Sequence, residues 1–452
     1  MARDSIRTGV VLVGDSRRPA LGGLTVDLRR MLLAVAVLVA LSGTFASAEE
    51  PKDPPDGSSQ ADKGSKSGYE DAGAIGGGSA VGAQLVKDDQ VKDPLLPFIL
   101  LRDDFYKRKR WLKEKTGIEI NIDYNFLNQY ASFSTEDRRG ASGALRFYGR
   151  WYPPRIGEKP NGSLVFRIEH RHQIGPQTPK ELGFSTGSSL STAGFKEFGW
   201  GATALYWAQR SDDERIAFAA GQMDTGDFED IHPLLNPWTA FMSDASFNNP
   251  STALPNQGLG LVIRGFVSDH LYLKGGVADA NGTPNKIDFD SFFTVQEYFT
   301  WAEFGWAPTP AREAAGESIH LLAWHSDERV EAEVPEGWGL AFSAAREFDD
   351  KWIPFVRAGY SEGDAANLSA MVSLGAGWRV RSDDLLGVAA TWARPPESEQ
   401  GRDQYTVEAF YRLQLTDNLQ LTPGFFWHLK PSYNPAKDTV WVASVLRIRF
   451  VL

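Results

Sequence analysis

The chain runs to 452 residues with 47 Lys plus Arg against 58 Asp plus Glu, a net charge of −11, and no cysteine. Without cysteine there is no disulfide scaffold, thiolate metal site or Cys nucleophile, and the acidic balance argues against nucleic acid as a partner, since phosphate binding needs surplus Lys and Arg. The 14 Trp, 27 Phe, 13 Tyr and 44 Gly favour strands over helices.

Behind Arg29 and Arg30 lies an apolar run of eleven residues, Met31 to Leu41, followed by Ser42-Gly43 and Ala46-Ser47-Ala48. A charged start, a short apolar stretch and small residues predict a secretory signal peptide over 1–48, cleaved after Ala48. Eleven residues reach only about half-way across a ~30 Å bilayer core, so this is not a membrane anchor. From Glu49 to Val91 large apolar side chains are scarce and Gly, Ser, Asp and Lys abound. That composition cannot bury enough apolar area to offset its ordering entropy, so residues 49–94 are expected to be a flexible linker. Residues 95–116 have helical character and a basic second half, and read either as a short helical segment at the mouth of the strand-rich region beyond Gly117 or as a solvated connector.

From Gly117 onward the pattern changes to period two, with turn signals between segments. Ile118, Ile120, Ile122, Tyr124 and Phe126 alternate with Glu119, Asn121, Asp123 and Asn125. Leu145, Phe147 and Trp151 stand opposite Arg146, Tyr148 and Arg150, and Leu164, Phe166 and Ile168 opposite Arg167, Glu169 and Arg171. Further strands are expected near 199–209, 214–222, 258–267, 270–279, 298–307, 317–327, 337–347, 351–360, 369–380, 384–393, 404–415 and 418–430, with a last one ending at Leu452. Sixteen strands in the 336 residues from 117 to 452 leave 21 per strand and connection, which suits ~10-residue strands joined by alternating short turns and long loops. A soluble sandwich would turn its polar face to bulk water and would not keep collecting Arg and Glu there. Aromatics at strand ends on the apolar face, such as Phe147, Trp151, Tyr298, Tyr411, Trp427 and Phe450, are placed as a girdle at the lipid headgroups. Lipid tolerates only helices and closed barrels, so the expected fold is all-β: a 16-stranded antiparallel transmembrane β-barrel over 117–452.

Several segments resemble the carbohydrate-selective porins of the OprB type, Gram-negative outer-membrane barrels that pass sugars. In the N-terminal half they are Gly117-Ile118, Leu205-Tyr206-Trp207 and the long segment after Gln222. The C-terminal half adds Gly275-Gly276-Val277, Asp279-Ala280-Asn281-Gly282, Asp383-Asp384-Leu385-Leu386-Gly387 and Glu408-Ala409-Phe410-Tyr411-Arg412. Leu421-Thr422-Pro423, Asn434-Pro435 and Leu446-Arg447-Ile448-Arg449-Phe450 complete the likeness. It implies a cell outer-membrane porin for passive sugar diffusion, without cofactor or metal. Its partners would be sugars, outer-membrane lipid and lipopolysaccharide, and the barrel-assembly machinery; a homo-oligomer is compatible. The chain departs from the pattern in ending Phe450-Val451-Leu452, where such barrels usually finish on an aromatic, and in its tail before Gly117, for which the resemblance offers no role.

The longest interruption of the strand series, 223–257, holds Asp230, His232, Pro237, Trp238 and Phe241. It is expected to fold inward and narrow the lumen, as the third extracellular loop of porins does. Loops this long are seldom idle, and Ala217, Ala219 and Gly221 on the preceding strand leave room beside the wall. The inner face is expected to carry Arg146, Arg150, Arg167, Arg171, Arg264, Lys274, Arg412, Arg447 and Arg449 against Glu119, Asp123, Glu169, Glu303 and Glu408. Paired Arg and carboxylate groups can hydrogen-bond adjacent sugar hydroxyls while an aromatic ring takes the C–H face. An excess of cations also favours anions, so a general or anion-selective pore is the alternative.

Enzyme readings find no support. Gly183-Phe184-Ser185-Thr186-Gly187 has the spacing of a nucleophile elbow but lacks the strand before and helix after that the chemistry requires. His170 and His172 share a strand face yet have no identifiable carboxylate partner for a metal.

Overall fold

The structure, a computed structural model, describes residues 75–96, 103–153, 162–213 and 215–452. The expected signal peptide and linker residues 49–74 lie outside them. Strands dominate: β1 (Ile118–Ala131), β2 (Arg139–Trp151), β3 (Gly162–Gln173), β4 (Gly199–Arg210), β5 (Ile216–Met223), β6 (Gly258–Phe266), β7 (Leu271–Asp279) and β8 (Tyr298–Trp306). They continue as β9 (Ile319–Ser326), β10 (Gly337–Ala345), β11 (Trp352–Glu362), β12 (Ala370–Arg379), β13 (Leu385–Arg394), β14 (Gln404–Gln414), β15 (Leu419–Leu421), β16 (Gly424–Leu429) and β17 (Thr439–Val451).

Apart from β15 and β16, each strand pairs antiparallel with its chain neighbour, and the sheet closes where β1 meets β17, in a register running from Asp123 opposite Val451 to Ala131 opposite Val442. Both β15 and β16 pair with β14 and with β17, so they are one stave interrupted at Thr422-Pro423. Proline has no N–H to give the ladder. The barrel therefore has the sixteen staves the periodicity predicts.

Alternation decides which face meets lipid. Along β9 the odd positions Ile319, Leu321 and Ala323 are exposed while His320, Leu322 and Trp324 are buried, and the other staves repeat the scheme. Outward apolar and inward polar positions are the signature of a barrel in a bilayer. Exposed aromatics collect at its two rims. Trp151, Trp306, Trp352 and Trp378 mark the end where β1 begins and β17 stops, and Trp200, Trp338, Tyr405, Trp427 and Trp441 mark the end with the long connections. Trp352 and Trp378 stack across the β11–β12 pair with centroids 5.3 Å apart.

The expected linker is corrected from Ile75 onward. Residues Val81–Asp89 form a helix, α1, whose Val81 and Leu85 are buried with Ile75 among Val165, Tyr206, Ala217, Ala219 and Val262 of the inner wall. The composition argument fails here because it asks whether a segment can bury apolar area by itself, whereas this one uses the barrel interior. The chain then leaves at the terminal rim, where the Asp93 amide donates to Asp383 and the Leu95 and Leu96 amides to the carbonyls of Gln414 and Leu415. A second helix, α2 (Asp103–Thr116), lies mostly exposed at that rim. Its Lys113 meets Glu119 at 2.6 Å, and Asn418 donates to the Tyr106 hydroxyl.

Candidate functional site

The loop over 224–257 folds into the barrel and is stitched to the wall on three sides. Its apolar residues Phe228, Ile231, Leu234, Trp238 and Phe241 are buried. Ala217 and Ala219 of β5 are buried as expected, and the room they leave takes Phe228 together with Val81 and Leu85 of α1. At Gly221, φ is +139°, and a Cβ there would stand 2.5 Å from the Leu205 carbonyl oxygen. Only glycine fits this position of β5, three residues before the loop.

The first seat is on β2 and β3, where the Trp238 ring lies 4.5 Å from the Arg146 guanidinium and 5.0 Å from that of Arg171. Phe195 meets its edge at 5.0 Å. Each cation also has a carboxylate. Arg146 donates through Nε to Asp123 at 2.7 Å, and Arg171 through Nε to Glu169 at 2.7 Å. Asp123 is shared with Arg449, and Glu169 with Arg167 at 3.2 Å. Arg150 pairs with Glu119. The result is an indole face bordered by alternating guanidinium and carboxylate groups.

The second seat centres on Asp230, which takes a φ of +43°. Arg357 of β11 pairs with its carboxylate, His320 of β9 lies 2.9 Å from Oδ1, and Asn249 donates to Oδ2 at 3.0 Å. Its amide donates to Glu303, which also pairs with Lys274 at 2.9 Å. Glu313, in the turn after β8, accepts from Lys274 and from Arg264 at 3.0 Å. Burial pushes the Asp230 carboxyl up, but the Arg357 and His320 charges outweigh it and hold it below the usual range. Burial and the Asp230 charge raise Glu229 well above the usual range. His232 is pushed down by burial and Arg357; its Nε2 lies 2.9 Å from the Ser246 carbonyl oxygen.

The third seat is on β14 and β17. Glu408 accepts the amides of Met242 and Ser243 at 2.6 and 3.1 Å, Arg412 donates to the Thr239 carbonyl, and Arg447 donates twice to that of Ala240 at 2.8 Å. Phe241 sits between them, edge-on to Phe410 at 4.9 Å and to Phe355 at 5.5 Å.

All the strand residues expected on the inner face are buried there, but the expected surplus of cations is corrected. Among the described residues, Asp88 from α1, Asp227, Glu229 and Asp230 from the loop, and Glu313 from the connection after β8 bring further buried carboxylates. Arg357 of β11 and Lys87 of α1 join the cations. Strand alternation cannot register charge carried by loops, and that is where the balance comes from. Arg357 escapes sequence reading because its inward neighbours on β11, Ile353 and Phe355, are apolar. Ser185 closes a short helix, Pro179–Ser185, so the helix precedes the serine and the elbow geometry is reversed. His170 and His172 face outward, the latter 3.1 Å from the Tyr124 hydroxyl.

Residues 156–452 match the family model for "Carbohydrate-selective porin, OprB family". Among solved structures, the chain resembles Pseudomonas putida OprB at high pH with a TM-score of 0.60 and 13% identity, covering 77% of this chain and 97% of that one. The low-pH structure of the same protein gives 0.47 at 11% identity, over 78% and 98%. A mutant Rh. blastica porin gives 0.41 at 12% identity, over 74% and 100%. At such identities the likeness concerns the fold. No curated protein sequence matches.

Proposed function

Because the chain belongs to the OprB family of carbohydrate-selective porins, we propose that it selects sugars where Trp238 meets the wall of β2 and β3. One observation carries this: a buried indole lies against two guanidinium groups, each already paired with a carboxylate. A pyranose has an apolar C–H face edged with neighbouring hydroxyls. The indole takes the face, Arg146 and Arg171 donate in pairs to hydroxyl oxygens, and Asp123 and Glu169 accept from hydroxyl protons. No bond is made or broken; the sugar moves down its gradient, and selectivity comes from the exchange of water hydrogen bonds for wall hydrogen bonds.

Asp230, His232 and Phe241 act in this reading as the posts that hold the loop at its depth, and Arg150, Arg167, Arg264, Lys274, Glu303, Glu408 and Arg412 line the rest of the path. The same reading has the chain exported through a leader cleaved after Ala48 and inserted by the barrel-assembly machinery, with lipid and lipopolysaccharide around its aromatic rims. The test is a planar bilayer, recording conductance and reversal potential while neutral sugars are titrated. Block by a sugar at low concentration is the expected result. Ohmic conductance blind to every sugar would overturn the proposal in favour of a general or anion-selective pore.

A further inference from the structure

We propose that the segment Ile75–Asp89 is a plug that holds this pore closed and has to leave the lumen before a sugar can pass. The proposal rests on the porin reading and adds to it a closed state built from the chain's own N-terminal segment.

Four observations converge. The segment lies inside the barrel, where Ile75, Val81 and Leu85 share one buried cluster with inward residues of β3, β4, β5 and β6. It is fastened at both of its ends. Near its start, the Gly77 amide donates to the Asp227 carbonyl at 2.7 Å, Asn236 donates to the Gly78 carbonyl at 3.2 Å, and Arg167 donates to that of Ser79 at 3.2 Å. Near its finish, the Asp88 carboxylate takes both Nη atoms of Arg449 at 2.7 and 2.8 Å and the Tyr148 hydroxyl at 2.5 Å. The first set of partners belongs largely to the loop that narrows the lumen, and the second to β2 and β17 of the wall.

The glycines of this stretch are contact surface. A Cβ at Gly77 would stand 2.7 Å from Cγ2 and 3.0 Å from Cβ of Ile231, and Gly76 has a φ of +113°. A run that reads as a flexible linker thus lets the backbone lie directly on the inward-folded loop.

The segment is also built to come out. Helix α1 has nine residues, and no side chain caps its N-terminus at Ala80; a helix this short does not hold its shape alone in water. Both polar atoms of the Gln84 side chain are buried without a hydrogen-bond partner, a defect that water would relieve on exit. The polar anchors are hydrogen bonds to charged or backbone groups that water can replace on both sides, which leaves the burial of Ile75, Val81 and Leu85 as the main cost of exit. After Asp89 the chain runs out over the terminal rim and returns through α2 to β1, so a released plug stays tethered at the mouth.

The chain has no cysteine, which makes the test clean. A Cβ at Gly77 stands 3.0 Å from Cβ of Ile231, so Gly77→Cys with Ile231→Cys forms a disulfide once the two backbones part by about half an ångström to reach the ~3.5–4.5 Å range. The inserted double variant is recorded in planar bilayers before and after reduction. Current that is absent when oxidised and returns severalfold on reduction is the expected result, with the chain lacking residues 75–89 open throughout and Asp88→Asn open more often than the parent. The proposal is overturned if the pair does not oxidise in the inserted barrel, if the oxidised channel conducts as well as the reduced one, or if the shortened chain conducts no better than the full one. The two readings separate in the shortened chain: steady current that no sugar blocks keeps the plug and removes the sugar site, whereas equal current in full and shortened chains with sugar block intact does the reverse.

Discussion

Asp230 gathers more partners than any other loop residue described above, and it does so in a backbone conformation that side chains resist. Such strain persists only where surrounding contacts over-determine it. Removing one member of a buried ion pair leaves an uncompensated charge and costs about 3–5 kcal/mol. Arg357→Ala is therefore expected to release the loop, read as new protease cleavage within 224–257 in folded barrels, whereas Arg357→Met with Asp230→Asn should restore much of the protection. Trp238 makes a different prediction. Its two cation–π contacts are worth about 1 kcal/mol each when partly desolvated, so Trp238→Ala should weaken sugar block about fivefold or more and leave the reversal potential nearly unchanged. Arg146→Gln should leave Asp123 still paired with Arg449, so a small cation-ward shift of reversal potential is expected, and a large one would mean that Arg449 does not compensate. Period-two alternation made the Arg and Glu of β2 and β3 readable as inward groups. It could not show how they are neutralised, because which carboxylate each one meets is set by register and by the loop: Arg146 and Arg150 pair with Asp123 and Glu119 of β1, and Arg167 reaches Asp227.

Among the elements, the staves were the most legible, since each announces itself through its own alternation and needs no knowledge of its neighbours. The stave over 418–430 reads as one strand, and the break at Thr422-Pro423 follows from proline alone. Helix α1 is the opposite case. Nothing in a stretch of Gly, Ser and charge signals a packed helix; its ordering comes from the wall that receives it. Its anchor makes a pH prediction. Burial raises the Asp88 carboxyl, but the Arg449 charge and the hydrogen bonds from Arg449 and Tyr148 outweigh that, with a smaller contribution from Lys92, and hold it near about 2, against ~3.9 for a free aspartate. A depressed carboxyl contributes its attachment fully above the free value and loses it as pH falls through the depressed one. Asp123 shares the same guanidinium. Asp88 by itself is accordingly expected to leave conductance flat between pH 8 and pH 5, so a marked opening within that window would assign release to another group, first Asp227, which burial raises to about 6 and whose carbonyl holds the Gly77 amide.

At the scale of the whole molecule, closure between β1 and β17 removes every sheet edge from the hydrocarbon region, where an unpaired backbone group is costly. A closed barrel keeps its shape in detergent until heated, so the folded protein should migrate faster on a gel before boiling than after; identical migration would count against closure. Among the described residues, 75–89 form no stave, so a chain lacking 49–89 behind the same leader is expected to insert and to show the same heat-dependent migration. The sequence by itself determined the number of staves, which face meets lipid, where the aromatic rims lie and which connection is long enough to cross the lumen. These are local properties, set by side-chain period and by glycine and proline at turns. Only the tertiary structure decided what fills the interior. The loop's seats on Arg357, His320, Glu408 and Arg447, and the capture of Asp88 by Arg449 at the other end of the chain, are pairings between residues far apart in sequence. Such contacts exist only after the barrel has closed and brought its inward faces within reach of one another, and no periodicity in the chain encodes them.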